Sequence, residues 1–339
     1  MLFLASYLCY NKIKEGENQV KKIIEIVPNY SEGKNKDLMD KIISPFMNIK
    51  EIFLCKLEMD SSYNRSVLTV IGEASVVIDK MIESAILATE FIDLNKHSGE
   101  HPRMGAVDVI PILPIQNITE DECIELSKYL GAKINEATNV PIFLYAKSAT
   151  RLHTENLPDI RAGEFEGLKE KMKDPKWHSD FGSNVPHQSA GVFAVGCRKP
   201  LVAFNIDVNT NNKNKVSGIA RRVRNSSGGY RYIQAGAAHL IDLDIYQVTM
   251  NLTDFESTAL YQAIEAVKME AKRFDIKILN TEIVGLVSKK CLVNSLKYYL
   301  KMPDNKKLDL SLEEIVELSI KYFKLRDFSI DKIIEYYII

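Results

Sequence analysis

Apolar and polar positions recur with two different periods in the first half of the chain, and together they predict the element order βαββαβ. Helical spacing of apolar residues predicts a long helix over residues 75–92, and Ser31 can cap an earlier helix that runs to about Phe46. Short apolar runs bounded by turn residues predict the four strands, at residues 23–27, 51–57, 65–71 and 107–112.

An additional helix and strand follow this first set. Thr119 and Glu122 have the spacing of a capping box, which predicts a helix that ends near Ala137. The apolar run at residues 141–145 predicts one more strand. A long stretch at residues 148–189 then lacks clear periodicity, and unstructured segments of this length in compact domains are usually functional.

The second half repeats the order of the first. A basic helix is expected at residues 216–225, and the pair Thr253 and Glu256 predicts a second capping box whose helix runs to about Arg273. The strands are expected at residues 201–206, 235–241, 246–251 and 276–287. The chain therefore contains two βαββαβ sets joined near Lys199.

A direct strand-to-strand step between two helices is typical of the ferredoxin-like split βαβ arrangement, whereas doubly wound sheets alternate strand and helix. We therefore predict an α+β fold with two ferredoxin-like (βαββαβ) subdomains and a ligand cleft between them. The expected divisions are an N-terminal extension at residues 1–21, subdomains at 22–199 and 200–300, and a helical tail at 301–339.

The two ends of the chain are expected to be accessory. The apolar start, residues 1–10, is too short to span a bilayer and lacks the basic region of a signal peptide, so we expect a loosely packed extension. In the tail, Ser311 and Glu314 can start a short helix and Ser329 can start another. We expect these elements to serve packing or an oligomer contact.

Composition narrows the functional classes. Hydrophobic residues make up 46% and charged residues 26% of the chain, and the net charge is -1, so a uniform basic face for nucleic acid is not expected. No run of about 20 apolar residues predicts a membrane span. Five widely spaced cysteines without a C-x-x-C pair favour a reducing cytoplasm over a disulfide framework.

The stretch from His97 to Gly105 holds two of the six histidines and has the H-x-x-E-H spacing of some zinc proteases. A helical metal pair is not favoured, because Gly99 lies inside the motif and Pro102 follows it. Three interpretations remain: a catalytic loop with one acid/base histidine, a metal site, or histidines that only stabilise a turn.

Three further clusters carry candidate chemistry. Residues 180–191 are rich in small and turn-forming residues around one histidine, which is equally typical of a surface loop. Arg161, next to Ala162-Gly163, can bind a carboxylate in bidentate fashion or simply lie at a solvated helix end. Residues 28–33 form a strand-to-helix turn that can bind an anion or only cap a helix.

Taken together, these segments resemble the glutamate formimidoyltransferase family, the formiminotransferase domain of formimidoyltransferase-cyclodeaminase. The likeness covers residues 22–300 and rests mainly on the unusual G-E-H-P-R-M-G-A core. The matching segments are Val27-Pro-Asn-Tyr-Ser-Glu-Gly33, Asn64-Arg65, His97-Ser-Gly-Glu-His-Pro-Arg-Met-Gly-Ala-Val-Asp108, Ile160-Arg-Ala-Gly-Glu-Phe-Glu166, Asp180-Phe-Gly182, His187-Gln-Ser-Ala-Gly191, Ala203-Phe-Asn205 and Asn251-Leu-Thr-Asp-Phe-Glu256.

The resemblance implies transfer of a formimino group from N-formimino-L-glutamate to the co-substrate tetrahydrofolate, giving 5-formiminotetrahydrofolate and glutamate in histidine degradation. It places the acid/base histidine on His101. It also implies a folate-binding stretch in which Ala190 departs from the aromatic residue of the mammalian pattern. That stretch consists of Gly182, Ser183, Asn184, Val185, Pro186, His187, Gln188, Ser189, Ala190 and Gly191.

The reaction assigns further roles by chemistry. The amidine of the donor is cationic, so Asp60 or Glu100 is expected to hold it. The two carboxylates of glutamate need cations, for which the candidates are Arg65, Arg103 and Arg161, and Asn64 is expected among the substrate-binding or folate-binding residues. His97 is expected to shape the loop, and no metal is required.

The resemblance also implies a homodimer that acts on small molecules, without a nucleic-acid or membrane partner, and too few residues follow the match for a cyclodeaminase domain. Three alternatives to formimino transfer remain at this point: formyl transfer from N-formylglutamate, a non-catalytic folate-binding or scaffold protein, and a zinc hydrolase that uses His97, Glu100 and His101.

Overall fold

The computed structural model describes residues 2–14, 20–240 and 244–338 and has a mixed α+β architecture. The chain divides into two units, one ending at Arg198 and the other beginning at Lys199. Each unit has its own sheet and its own hydrophobic core. No described helix is long and apolar enough to cross a membrane.

Unit 1 contains the predicted strands and helices with shifted ends, and it also has elements that were not predicted, at residues 2–14, 29–30, 157–161, 164–171 and 193–197. The helices are α1 (Leu2–Lys14), α2 (Lys36–Ile43), α3 (Ala74–Phe91), α4 (Glu120–Thr138), α5 (Leu157–Arg161) and α6 (Glu164–Lys171). The strands are β1 (Ile23–Ile26), β2 (Asn29–Tyr30), β3 (Ile52–Asp60), β4 (Arg65–Glu73), β5 (Val107–Gln116), β6 (Ile142–Leu144) and β7 (Phe193–Cys197).

The sheet of unit 1 places the short strands β1 and β2 between β4 and β5. Both pair antiparallel with β4 on one side and with β5 on the other, and β3 pairs antiparallel with β4. Strands β7 and β6 extend the sheet beyond β5 through parallel pairings. The spatial order is therefore β3, β4, β1 with β2, β5, β7, β6.

Helices cover one face of this sheet and, over β5, β6 and β7, part of the other face. On one face the strands pack against α2, α3 and α4, with Ile24, Leu68 and Phe193 fully buried there. On the other face a smaller core, which includes Phe143 and Ile160, lies beneath α5 and α6. Since α5 and α6 belong to the long aperiodic stretch, that stretch covers the sheet instead of forming an open loop.

Unit 2 repeats the pattern with one antiparallel sheet in the order β11, β8, β10, β9. Its strands are β8 (Val202–Val208), β9 (Ile233–Leu240), β10 (Ile245–Leu252) and β11 (Ile278–Val284). Its helices are α7 (Lys213–Val223), α8 (Leu260–Lys272), α9 (Lys289–Tyr299) and α10 (Leu312–Phe323). The predicted end of β9 at Ile241 lies outside the described residues.

The C-terminal tail is part of the core of unit 2. Ile315, Phe323 and Ile333 are almost fully buried against the helices and strands of that unit. The predicted capping box of Ser311 and Glu314 is confirmed at the start of α10, whereas Ser329 is followed only by short 3-10 turns.

Two predicted helix starts are wrong. Ser31 does not cap α2; its hydroxyl donates to the carbonyl of Gly105 at 2.7 Å, and Asn35 caps the helix instead. Thr253 likewise donates to the carbonyl of Tyr232 at 3.2 Å, and α8 begins only at Leu260. In both cases a partner distant in the sequence replaces the local cap.

The N-terminal segment differs from the expected loose extension. Residues 2–14 form α1, which packs against α4. The ring of Tyr10 stacks on Tyr129 at 4.0 Å between centroids, and the Ser6 hydroxyl donates to Glu125 at 2.8 Å. Partners on α4 therefore order a segment whose own sequence lacks a cap.

Candidate active site

His101 lies in the connection between α3 and β5 and is 8% exposed. Its Nε2 atom makes no hydrogen bond with the described residues and lies 3.8 Å from Oδ2 of Asp108, which is beyond hydrogen-bond range. The ring of Tyr63 faces the imidazole edge-on at 6.4 Å between centroids. The site therefore has a buried imidazole with one nitrogen that makes no hydrogen bond with the described residues.

Asp108 is a fully buried carboxylate near the start of β5. Its Oδ1 accepts the backbone N–H of Met104 at 2.8 Å, and its Oδ2 accepts Nε of Arg161 at 2.8 Å as well as Nη2. Burial alone would raise the pKa of Asp108, but the His101 imidazole, the Arg161 guanidinium and the Met104 N–H together hold that pKa below its ordinary value. Asp108 is therefore an anion beside His101.

Arg65 is a cation near Asp108 that makes no ion pair within the part of the chain that the structure describes. It begins β4, its Nε is buried without a hydrogen-bond partner, and it makes no ion pair with the described residues. Burial lowers the pKa of Arg65, and the nearby Arg161 lowers it further, although Asp60 and Asp108 partly offset both. A half-buried guanidinium in this state is stabilised by an anion, so Arg65 has the chemistry to bind a carboxylate.

Asn64 joins three loops at the edge of the site. Its side-chain Oδ1 accepts the N–H of Gly33 at 2.9 Å, and its Nδ2 donates to the carbonyl of Ser98 at 3.0 Å. Its backbone carbonyl accepts Nε2 of His97 at 2.8 Å. Asn64 is buried in a left-handed conformation with φ 50°, so its geometry indicates a residue that positions the loop around His101.

Gly99 is required by the close approach of that loop. A Cβ atom at this position would lie 2.3 Å from the carbonyl oxygen of Tyr63 and 2.7 Å from Cβ of Asn64. Gly99→Ala is therefore expected to lower the free energy of unfolding by about 1–3 kcal/mol, measured by urea denaturation. The control is Gly167→Ala on α6, where no atom lies within 4 Å of the new Cβ. Equal stability of the two variants would contradict this account of Gly99.

Arg103 and His97 form a linked pair in the same loop. Arg103 Nε donates to Nδ1 of His97 at 3.2 Å, and its two terminal nitrogens bind Glu166 at 2.9 and 2.7 Å and Glu164 at 3.1 Å. The hydrogen bond to Glu166 in particular raises the pKa of Arg103. Because its guanidinium is already engaged, Arg103 does not present a free cation to a substrate carboxylate.

The two predicted amidine carboxylates are less enclosed. Oδ1 of Asp60 accepts the N–H groups of Ser62 and Tyr63, both at 2.9 Å, so Asp60 stabilises the turn between β3 and β4. Glu100 is exposed, and its backbone N–H donates to the carbonyl of Ser62 at 3.2 Å. Asp60 interacts electrostatically with Arg65, and neither carboxylate contacts His101 through a hydrogen bond.

The predicted folate-binding stretch lies against the His101 loop at its C-terminal end. The carbonyl of Ser189 accepts the N–H of Leu94 at 2.8 Å, and that of Ala190 accepts the N–H of Ala106 at 2.9 Å. Nδ1 of His187 accepts the N–H of Ala190 at 3.0 Å, and burial lowers the pKa of His187. The side chain of Ala190 is fully buried in the core, so it does not face a ligand.

Glycines fix both ends of this stretch. Gly191 has φ 70°, and a Cβ there would lie 2.0 Å from the carbonyl of Met104; Gly182 has φ 93°, and a Cβ there would lie 2.3 Å from Nδ2 of Asn135. Pro186 and Ser189 are half-buried. The exposed members of the stretch are Gly182, Ser183, Asn184, Val185 and Gln188.

The fold thus brings His101, Arg161 and Arg65 together around Asp108, whereas Arg103 and Asn64 serve the loop that carries His101. The predicted site omitted Asp108 and the ion-pair partner Glu166. A detectable signal existed for Asp108, because it is a carboxylate within an apolar strand segment, and buried acids are rare without a partner.

Neither His97 nor His101 lies on a helix, in agreement with the prediction from Gly99 and Pro102. The H-x-x-E-H spacing therefore does not place the two rings on one helical face. Within residues 2–14, 20–240 and 244–338, no group of three His, Cys, Asp or Glu side chains is arranged to hold a metal ion.

Sequence comparisons identify two consecutive family matches. Residues 23–198 match the formiminotransferase domain, N-terminal subdomain, and residues 203–339 match the formiminotransferase domain. The second match continues beyond Leu300, the end of the likeness recognised from the sequence, so the tail is part of the family domain.

Curated proteins show the same similarity. The chain is 42% identical to a glutamate formimidoyltransferase of Streptococcus pyogenes serotype M1, over 84% of this chain and 95% of that protein. It is 37% identical to a glutamate formimidoyltransferase of Thermoplasma acidophilum, over 83% of this chain and 93% of that protein. A formimidoyltransferase-cyclodeaminase of Rattus norvegicus is 36% identical over 86% of this chain, which spans 54% of that longer protein.

Proposed function

This chain belongs to the formiminotransferase family, and on that premise we propose how the residues around His101 carry out its reaction. The chain is an enzyme that transfers the formimino group from N-formimino-L-glutamate to tetrahydrofolate, its co-substrate. The products are 5-formiminotetrahydrofolate and L-glutamate, which connect histidine degradation to one-carbon metabolism. The observation that carries the assignment of roles is the unpartnered Nε2 of buried His101 beside ionised Asp108.

His101 is the general acid/base in this proposal. N5 of tetrahydrofolate attacks the amidine carbon, and His101 accepts the proton that N5 loses as the new C–N bond forms. The imidazolium then donates that proton to the glutamate nitrogen as the old C–N bond breaks, so the histidine returns to its starting state. A histidine suits both steps because its ordinary pKa is close to neutrality.

Asp108 supports His101 electrostatically. The carboxylate is buried, held ionised by Arg161 and Met104, and placed 3.8 Å from the imidazole nitrogen. It stabilises the positive charge that His101 carries between the two proton transfers. Arg161 therefore acts through Asp108 in this proposal. We do not assign it the direct contact with a glutamate carboxylate for which it was a candidate.

Arg65 takes a carboxylate of the glutamate moiety. Among the three predicted arginines, Arg103 is bound by Glu166 and Arg161 by Asp108, whereas Arg65 has no ionic partner among the described residues. Asp60 and Glu100 stay the candidates for the cationic amidine. The folate is assigned to residues 182–191, whose exposed segment 182–185 adjoins the part packed against the His101 loop.

Arg65→Met is expected to raise the KM for N-formimino-L-glutamate by about 10-fold to 100-fold, because a hydrogen bond to a charged group contributes about 1.5–3 kcal/mol. The KM for tetrahydrofolate is expected to change much less. Steady-state kinetics with each substrate varied in turn measure both values. Arg221→Met, at an exposed arginine of α7, is the control. A KM for the donor equal to that of the control would remove Arg65 from this role.

A direct assay tests the proposed function. The protein is mixed with tetrahydrofolate and N-formimino-L-glutamate, and the 5-formimino product is followed by absorbance. Turnover with the formimino donor is expected. Turnover only with N-formylglutamate would show that the donor is the formyl compound and not N-formimino-L-glutamate. Tight folate binding without turnover of either donor would favour a non-catalytic folate-binding protein.

The strand orders support two ferredoxin-like subdomains, at residues 22–199 and 200–300 with the tail at 301–339. In unit 2 the spatial order is β11, β8, β10, β9. The first and third strands in chain order, β8 and β10, therefore lie in the centre of the sheet, as in a ferredoxin-like βαββαβ unit. In unit 1 the strands β5, β1 with β2, β4 and β3 have the same order, extended by β7 and β6. The folate cleft predicted from the resemblance stays a prediction.

The family resemblance supports our proposals for the cellular compartment and the oligomeric state. Five cysteines without disulfides among the described residues suit a reducing cytoplasm, where we place the enzyme. We also propose a homodimer that acts on small molecules without a nucleic-acid or membrane partner. Light scattering on the purified enzyme in solution tests the assembly, and a monomer mass would contradict it.

A further inference from the structure

Arg161 reaches the site from a helix that is too short to be stable alone. It is the last residue of α5, which has five residues, whereas isolated helices are marginal below about 12–15 residues. Its Nε lies 2.8 Å from the carboxylate of Asp108. The position of Arg161, and with it the Arg161 contribution to keeping Asp108 ionised, therefore depends on whatever holds the end of α5 in place.

Lys171, at the end of α6, provides that support. Its Nζ donates to the backbone carbonyls of Asp159 at 2.6 Å, Ile160 at 2.7 Å and Ala162 at 3.0 Å. Carbonyls at the end of a helix have no partner within the helix, and a cation there also interacts favourably with the helix dipole. One ammonium group thus satisfies three acceptors on both sides of Arg161.

Lys171 is half-buried, and its ammonium group lies against an aromatic ring. The ring centroid of Trp177, the only tryptophan of the sequence, lies 3.9 Å from Nζ. Burial lowers the pKa of Lys171 to about 8, and Asp159 opposes that change. Other groups near the ring are Lys176, with Nζ 5.8 Å from the centroid, and His153, whose ring lies 4.6 Å away.

Helix α6 is also attached to the loop that carries His101. Glu166 binds Arg103 through two hydrogen bonds, and the N–H of Phe165 donates to the carbonyl of Arg103 at 2.9 Å. The pair of helices therefore touches the site twice, through Arg161 on Asp108 and through Glu166 on Arg103. Lys171 joins the two helices.

We propose that Lys171 is a positioning residue of the transfer reaction, whose ammonium group holds Arg161 against Asp108 and so maintains the charge beside His101. This inference rests on the proposed roles of His101 and Asp108. Three N–H donors exist only in the ammonium form, because a neutral amine has two. Loss of that proton would release at least one carbonyl and loosen the end of α5.

The activity test compares three variants. Lys171→Met is expected to lower kcat by about 10-fold to 100-fold, the scale of a small misplacement of catalytic groups, with little change in either KM. Lys171→Arg is expected to restore much of kcat because it keeps the charge and several donors. Lys169→Met, two residues away at an exposed lysine, is the matched control and should stay within about twofold of the parent.

Two measurements without substrate test the structural step. Amide hydrogen exchange over residues 157–163 is expected to accelerate in Lys171→Met and not in Lys169→Met. The emission of Trp177 is expected to change with a midpoint of about pH 8 in the protein that keeps Lys171, and that change should disappear when Lys171→Arg is added. Both emission titrations use the His153→Gln background, so that the neighbouring imidazole does not contribute.

The outcomes separate this inference from the proposed function. A parent enzyme without formimino transfer would overturn the proposed function, whereas exchange and emission would still test the link from Lys171 to α5. Equal kcat for Lys171→Met and Lys169→Met in an active enzyme would overturn the positioning role. A loss of kcat without faster exchange at residues 157–163 would also overturn it. If Lys171→Met does not fold, Lys171→Gln takes its place, and equal kcat and equal exchange at residues 157–163 in Lys171→Gln and Lys169→Met would overturn the positioning role.

Discussion

Replacing His101 by asparagine is expected to lower kcat by about 10²–10⁴-fold, the usual contribution of a positioned general acid/base. Asparagine keeps a polar side chain of similar size, but it does not gain or lose a proton near neutral pH. The imidazole has one nitrogen without a hydrogen bond to the described residues, so this change removes the group that exchanges the proton. The KM values are expected to change little, because His101 acts mainly in the transition state.

The measurement is steady-state kinetics of formimino transfer, with protein folding checked by thermal unfolding. His239→Asn is the control, because His239 is an exposed histidine on β9 that pairs with Asp244. The control should retain the activity of the parent. Activity of His101→Asn within about tenfold of the parent would remove the general acid/base role.

Asp108→Asn is expected to give the second large effect, a loss of about 10²–10⁴-fold in kcat, by analogy with the loss of a buried carboxylate beside a catalytic histidine. The amide keeps the shape of the carboxylate but removes the charge that stabilises the imidazolium of His101. It also leaves the guanidinium of Arg161 without its ionic partner, with Arg65 nearby.

Stability measurements separate the electrostatic and structural parts of this effect. Removing one partner of a buried ion pair costs about 3–5 kcal/mol, so both Asp108→Asn and Arg161→Met are expected to unfold more easily. The pKa of Asp108 is lowered in the folded protein, so its stabilising contribution is present above the ordinary value and is lost as the pH falls through the lowered one. Asp108→Asn should therefore weaken the acid dependence of stability below about pH 4.

A combination of kinetics and urea unfolding from pH 2 to 7 tests this account. Arg161→Met is the informative comparison, because it disrupts the same pair but leaves the carboxylate beside His101. We expect it to retain more activity than Asp108→Asn at comparable stability. Equal activity of the two variants would indicate that Asp108 serves only the ion pair.

Local sequence determined the elements whose signals lie within a few residues. The βαββαβ order was predictable in both halves because apolar periodicity depends on one strand or helix at a time. The capping boxes of Thr119 with Glu122 and of Ser311 with Glu314 are confirmed. Both partners of each box lie in one helical turn, so no distant group is needed.

Predictions of helix caps were wrong at two positions where the hydroxyl group binds a partner that is distant in the sequence. Ser31 and Thr253 have suitable positions for caps, but their hydroxyls donate to the carbonyls of Gly105 and Tyr232. These carbonyls lie on neighbouring segments that the sheets bring close. A sequence pattern contains the donor of such a bond but not its acceptor.

In the candidate active site, too, local features were predictable from the sequence and contacts between distant segments were not. The sequence by itself determined the family, the unusual motif around His101 and the absence of a helix there, because Gly99 and Pro102 act locally on the backbone. It did not separate His97 from His101 by geometry. Only the tertiary structure did so, since His97 bonds the carbonyl of Asn64 whereas His101 faces Asp108.

The three predicted arginines were equivalent in the sequence, and the tertiary structure made them different. Arg103 pairs with Glu166, Arg161 pairs with Asp108, and Arg65 is left without an ionic partner among the described residues. Charge type is a property of each residue, whereas pairing, burial and pKa depend on groups brought together from distant parts of the chain. The sequence therefore supplied the chemical groups, and the packing of β4, β5, α5 and α6 decided which of them can meet a substrate.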